Sequence, residues 1–88
     1  MATIKQLQKQ FNKIWTGSDY DPWKQQVVIN TTDGELLIQL DRDDRQFTLM
    51  SGMPTMTFED IKGIEAITEK VNQLINDGRV TEIYLDYQ

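Results

Sequence analysis

The sequence lacks two residue types that carry much of protein chemistry, because its 88 residues include no cysteine and no histidine. Disulfide bonds are therefore excluded, and the absence of cysteine favours a reducing, cytoplasmic setting. Without histidine the chain also lacks the side chain that titrates near neutral pH and the commonest ligand of transition metals. Catalysis by a Ser-His or Cys-His pair is excluded, and we predict a protein that is not an enzyme and has no metal or cofactor site.

Long apolar runs are also missing, since the longest are the three-residue segments 27–29 and 36–38. A membrane-spanning helix needs about 18 or more apolar residues, so we expect no membrane association. Hydrophobic residues make up 39% of the chain and charged residues 26%, which is ordinary for a globular protein. With 88 residues, the chain has room for one core, and we predict a single domain over residues 1–88.

The hydrophobic pattern predicts two amphipathic helices and four strands. Apolar residues at three- and four-residue spacings predict a helix over residues 3–16, with Thr3 as its N-cap. A second helix is expected to open at a capping box over residues 57–60 and to end before Gly78. The strands are expected at residues 25–32, 35–41, 46–51 and 80–87.

The pairing of the first three strands is also predicted by the sequence. Asp33-Gly34 is typical of a two-residue type I′ turn, which would pair Thr32 with Glu35 and Ile29 with Ile38. A longer loop over residues 42–45 would then place Leu40 against Phe47. Both pairings put the apolar residues of neighbouring strands on one face of the sheet.

These elements predict an α+β fold, a two-layer sandwich in the order α-β-β-β-α-β. Three strands form an antiparallel meander, and both helices lie on the apolar face of the sheet. We expect the C-terminal strand to pair with the first strand, which gives the sheet order 4-1-2-3. The second helix is expected to make a crossover from the third strand, so that the last strand runs parallel to the third and first strands.

The side of the sheet turned away from the helices, called the reverse face below, is the first candidate site. An antiparallel sheet with one solvated face should be polar there, but the alternation predicts several apolar residues on it. They are Val28, Leu37, Met50, Val80 and Tyr84. A contiguous apolar surface of this kind is typical of an interface with a protein partner or a second copy of the chain. An edge strand, the third or the last, is an alternative route to a dimer.

Two other surfaces are weaker candidates. Trp15, Tyr20 and Trp23 lie in or beside a turn-rich connector, and aromatic side chains are frequent at binding hot spots, although they also cover the open ends of small cores. Lys5, Lys9 and Lys13 form a row opposite the apolar stripe of the first helix. Such a row could contact nucleic acid, but charges opposite an apolar stripe are also the ordinary surface of a helix.

The sequence therefore favours a small non-enzymatic interaction domain, of the accessory kind common in bacteria and phages, that binds a protein partner or itself. A nucleic-acid binder that uses the three lysines is the first alternative. The net charge of −5 makes nucleic acid an unfavourable partner, and it suggests a second alternative, an acidic mimic that occupies a nucleic-acid-binding protein.

Overall fold

The computed structural model describes residues 2–16, 25–41, 46–52 and 60–87, and two helices and five strands lie within them. In chain order the elements are α1 (Ile4–Thr16), β1 (Gln25–Thr31), β2 (Gly34–Leu40), β3 (Phe47–Ser51), β4 (Ile61–Lys62), α2 (Ile64–Asn76) and β5 (Val80–Tyr87). The strands form one antiparallel sheet in the order β4-β3-β2-β1-β5. The α+β class is confirmed. The C-terminal strand, now β5, pairs with β1 as predicted, but the order is not an exact match because the short strand β4 is added beside β3.

One end of each helix, the start of α1 and the end of α2, forms as the sequence predicts. At the start of α1, the Gln6 amide donates to Thr3 Oγ1 and the Thr3 amide donates to Gln6 Oε1, which is a reciprocal capping box. After α2, Gly78 adopts a φ of 71°, and the amides of Gly78 and Arg79 donate to the carbonyls of Ile75 and Leu74. These two hydrogen bonds form a Schellman motif, in which glycine avoids the strain of a left-handed conformation.

The beginning of α2 differs from the prediction. Residues 57–59 of the expected capping box lie outside the described residues, and the helix begins only at Ile64. Ile61 and Lys62 instead pair with β3 as β4, and the Gly63 amide donates to the Phe47 carbonyl over 2.9 Å. Hydrogen bonds to the open edge of the sheet thus replace the first helical turn.

The added strand also corrects the direction of the last one. β4 runs antiparallel to β3, so the chain has already turned once before it enters α2. The crossover therefore connects β4 to β5, and β5 runs antiparallel to β1 rather than parallel to it. The expectation of a parallel pair was wrong because it counted one strand too few.

The register of the first hairpin is shifted by two residues from the prediction. Thr31 pairs with Gly34 and Val27 with Ile38, so Thr32 and Asp33 form the turn. The Thr31 hydroxyl holds this turn, since it donates to the Gly34 carbonyl at 2.6 Å and accepts from the Asp33 amide at 3.1 Å. Because a shift of two residues keeps every side chain on its face, the predicted core face is unchanged.

The core lies between the helices and one face of the sheet. α1 contributes Leu7, Phe11 and Ile14, and α2 contributes Ile67 and Val71. Strand residues complete it, namely Val27, Ile29, Leu36, Ile38, Leu40, Phe47, Leu49 and Ile83. Neither described helix has the length and hydropathy of a membrane span.

Candidate interaction surface

The reverse face of the sheet carries an apolar row that crosses four strands. Strand pairing places Tyr84 beside Val28, Val28 beside Leu37, and Leu37 beside Met50. Because neighbouring strands lie about 4.8 Å apart, the row is about 14 Å long. We call these four residues the apolar row.

The members of the apolar row are unequally exposed. Tyr84, Leu37 and Met50 are half-buried, whereas Val28 is only 2% exposed. Val28 lies outside the core cluster and is the smallest side chain of the row, with Leu37 and Tyr84 on either side. A partner would therefore contact mainly Tyr84, Leu37 and Met50.

Leu37 owes part of its burial to a close approach of the backbone at Gly52. A Cβ atom at Gly52 would lie 3.1 Å from Leu37 Cγ and 3.2 Å from the Glu35 carbonyl oxygen. The Gly52 amide donates to that same carbonyl over 2.8 Å. Glycine thus lets the backbone at residue 52 lie against Leu37 in the apolar row.

A polar row runs beside the apolar row and crosses all five strands. Its members, in the order of the sheet, are Asp86, Gln26, Gln39, Thr48 and Lys62. At its centre Gln39 Nε2 donates to Gln26 Oε1 over 2.9 Å. The row therefore begins with a carboxylate on β5, ends with an ammonium group on β4 and is neutral between them.

The other side of the apolar row is acidic. Glu82, Asn30 and Glu35 lie next to one another on β5, β1 and β2. Asn30 Nδ2 donates to Glu82 Oε2 at 3.5 Å, a long contact between exposed groups. The apolar row thus has a polar row with opposite charges at its ends on one side and a short acidic row on the other.

Val80 does not belong to this surface, although simple alternation places it there. The pairing of β1 with β5 shifts between Asn30 and Thr31, so that Thr31 lies opposite Val80 instead of Thr81. This bulge turns Val80 toward the other face, where it packs against the core cluster. The Thr81 hydroxyl donates to the Asn30 carbonyl beside the bulge.

The other two predicted sites receive less support from the structure. Tyr20 and Trp23 lie outside the described residues, as does the side chain of Trp15, which is in the last turns of α1. Lys5, Lys9 and Lys13 are all exposed on α1, where any amphipathic surface helix would place its charges. The nucleic-acid alternative therefore stays a prediction.

A concavity of about 380 Å³ adjoins the Met50 end of the apolar row. Its lining consists of Gln39, Leu40, Asp41, Thr48, Met50, Asp60 and Lys62. Lys62 Nζ lies 3.9 Å from Asp41 Oδ2, a distance typical of a weak surface ion pair. Among the described residues, no group of three acidic side chains is arranged to hold a metal ion.

The polar row contains one hydroxyl group, that of Thr48. It is buried and has no hydrogen-bond partner within the part of the chain that the structure describes. The residue is 6% exposed. A buried hydroxyl that has lost water and gained no partner costs about 1–3 kcal/mol. Valine has nearly the same shape and suits a strand, but it carries no polar atom to bury.

We therefore expect Thr48→Val to raise the free energy of unfolding by about 1 kcal/mol. Urea denaturation followed by circular dichroism measures this change. The matched control is Thr81→Val, which removes a hydroxyl that does form a hydrogen bond and should not stabilise the domain. A Thr48→Val protein less stable than the parent would show that the hydroxyl has a partner.

Comparisons with protein-family models, with curated proteins and with solved structures gave no match. Function must therefore be inferred from the surfaces of the domain.

Sequence reasoning missed one exposed apolar residue. A helix that opened at residues 57–60 would place Ile64 on the same apolar stripe as Ile67, but Ile64 is 43% exposed at the first position of α2. The signal that could have revealed it is Gly63, whose φ of 94° breaks the helix before Ile64. The surroundings of Ile64 lie on the helical side of the sheet, away from the apolar row.

Proposed function

We propose that this chain is a protein-interaction domain that forms a homodimer by packing two reverse faces together. The observation that supports it is the order of side chains in the apolar and polar rows. The polar row has opposite charges at its two ends, and Leu37 lies on β2 with Gln39, the central residue of that row. A second copy turned end for end would therefore meet this surface with matching partners.

The required symmetry is a two-fold axis parallel to the strands, lying between the two faces. Such an axis keeps each row over the same row of the partner and reverses its order. With the axis along β2, at the centre of the polar row, the two Leu37 side chains face each other and Met50 of one copy faces Val28 of the other.

The polar rows support the same arrangement. Reversing the row order brings Asp86 of one copy toward Lys62 of the other, twice in each dimer. Between these ends, the Gln39 side chains of the two copies face each other and can exchange hydrogen bonds. Charge complementarity of this kind selects the orientation of an interface more than it adds affinity.

The alternative axis, perpendicular to the strands, is disfavoured by charge. It would place the polar row of one copy over the acidic row of the other, so that Asp86 would face the partner's Glu82. Like charges opposed across an interface cost free energy and suppress that arrangement. The face is also about 19 Å wide, from five strands at about 4.8 Å spacing, which suits a weak dimer rather than an obligate one.

Charge exchange at the two ends of the polar row tests the proposal. We expect the parent protein to show a monomer–dimer equilibrium in sedimentation velocity runs over a concentration series. Lys62→Asp and Asp86→Lys should each weaken the dimer about 10-fold, because two exposed pairs are lost per dimer and each is worth up to about 1 kcal/mol.

The double variant Lys62→Asp/Asp86→Lys is the matched control, because it restores opposite charges at the two ends. Its dimer should return to within about 3-fold of the parent affinity. If the double variant lost as much dimer affinity as the sum of the two single losses in binding free energy, the end-for-end arrangement would be ruled out. A parent protein that stays monomeric up to millimolar concentration would rule out the homodimer.

A further inference from the structure

The most exposed apolar surface in the described part of the chain lies between the two helices, around Ile64. This side chain lines two concavities of about 480 Å³ and 520 Å³. The first is lined by Ile4, Gln8, Ile64, Glu65, Thr68, Glu69 and Asn72. The second is lined by Gln46, Phe47, Lys62, Gly63, Ile64, Glu65 and Ala66. We call the first concavity, which lies between α1 and α2, the helix cleft.

The late start of α2 explains why Ile64 is not buried. Ile67 and Val71, one and two turns further along, are fully buried against the sheet. Ile64 follows directly after Gly63, whose backbone is held to β3 by its bond to the Phe47 carbonyl. The helix therefore begins at the margin of the core, and its first apolar side chain lies beside Ile4 of α1 in the lining of the cleft.

The cleft has an apolar floor and an acidic rim. Ile4 and Ile64 supply the apolar part, whereas Glu65 and Glu69 are exposed on α2, one helical turn apart. Among the described residues, none that lines the cleft is a lysine or an arginine. A ligand that matches this surface has an apolar side chain between cationic groups that are spaced by about one turn of a helix.

We propose that the helix cleft binds an amphipathic helix of a partner protein, with a bulky apolar anchor against Ile4 and Ile64. Lysine or arginine residues four apart on that helix lie beside Glu65 and Glu69, because the i, i+4 spacing is the same on both helices. The reverse face lies on the opposite side of the sheet. A dimer formed there leaves the cleft open, so the homodimer and the binding of a helix in the cleft can be tested independently.

The test uses a fluorescent model peptide of leucine and lysine, with the leucines on one face of a helix. We expect saturable binding to the parent protein by fluorescence anisotropy. Ile64→Glu should weaken it at least 10-fold by placing a carboxylate on the apolar floor. Glu65→Lys/Glu69→Lys should weaken it at least 10-fold by reversing the charge of the rim. Leu37→Glu, on the reverse face, should bind the peptide as the parent does.

A peptide of the same composition, with leucine and lysine rearranged to destroy the apolar face, is the control for charge alone. Equal binding of the two peptides would overturn the proposal, as would undiminished binding by Ile64→Glu. No binding of the amphipathic peptide by the parent protein would also overturn it. If Ile64→Glu instead dissociated the homodimer in sedimentation velocity runs, the cleft would bind a second copy of the chain, and the proposal would be wrong.

Discussion

Replacing Phe47 by alanine is expected to remove a large part of the stability of this domain. Phe47 is 1% exposed, and its ring centroid lies 4.7 Å from that of Phe11 in a tilted arrangement. This contact joins β3 to α1 across the core. Truncating a buried phenylalanine costs about 3–5 kcal/mol, and an aromatic pair adds about 0.5–1.5 kcal/mol to area burial.

That loss is large for a chain of this length. At roughly 0.05–0.15 kcal/mol per residue, an 88-residue domain has a total stability of about 4–13 kcal/mol. Urea denaturation of Phe47→Ala should therefore show a much lower midpoint or no folded baseline. Ile64→Ala is the control, since an apolar side chain 43% exposed should cost less than about 1 kcal/mol. Equal losses for the two variants would contradict the assigned core.

Replacing Leu37 by glutamate is expected to abolish the homodimer without unfolding the chain. Leu37 is half-buried on the reverse face, at the middle of the apolar row. In the proposed dimer the two Leu37 side chains approach each other, so two carboxylates would lose water beside like charge. We expect the dimer to weaken more than 100-fold, which corresponds to about 2.7 kcal/mol or more. Sedimentation velocity measures the change.

The same substitution on the helical side of the sheet provides the control. Ile64→Glu introduces an identical charge at an apolar residue that the proposed dimer leaves uncovered, so its dimer should match that of the parent. Circular dichroism should show that both variants remain folded. A Leu37→Glu protein that dimerises as the parent does would exclude the reverse face as the interface.

Much of the fold follows from short-range patterns in the sequence. The N-cap at Thr3 and the glycine after α2 predict helix ends because each satisfies backbone groups within a few residues. The inward and outward faces of β1, β2 and β3 were predicted correctly even though the first hairpin register was two residues off. Face assignment depends only on alternation, whereas the register depended on whether Asp33-Gly34 or Thr32-Asp33 forms the turn.

The parts that could not be predicted depend on hydrogen bonds between distant residues. β4 is two residues long, and nothing in Ile61-Lys62 distinguishes it from a helix start until β3 offers an open edge. The bulge opposite Thr31 likewise turns Val80 toward the core through a change in long-range pairing. These two features explain why Ile64 was missed as an exposed residue and why Val80 was wrongly placed on the reverse face.

The apolar row shows how far a site could be predicted from alternation. Leu37 beside Met50 follows from the second hairpin, whose predicted register is confirmed. Tyr84 joins the row because β5 pairs with β1, which the sheet order anticipated. The near-complete burial of Val28 was not predictable, because solvent access depends on the sizes of neighbouring side chains as well as on the face.

The most direct measurement of the proposed interface is an isotope-filtered nuclear Overhauser experiment on a mixture of labelled and unlabelled protein. Only contacts between different copies give cross-peaks in this experiment. We predict cross-peaks between the Leu37 methyl groups of the two copies, and between the Met50 methyl group of one copy and the Val28 methyl groups of the other. Cross-peaks along the backbone of β5, or around Ile64, would contradict an interface on the reverse face.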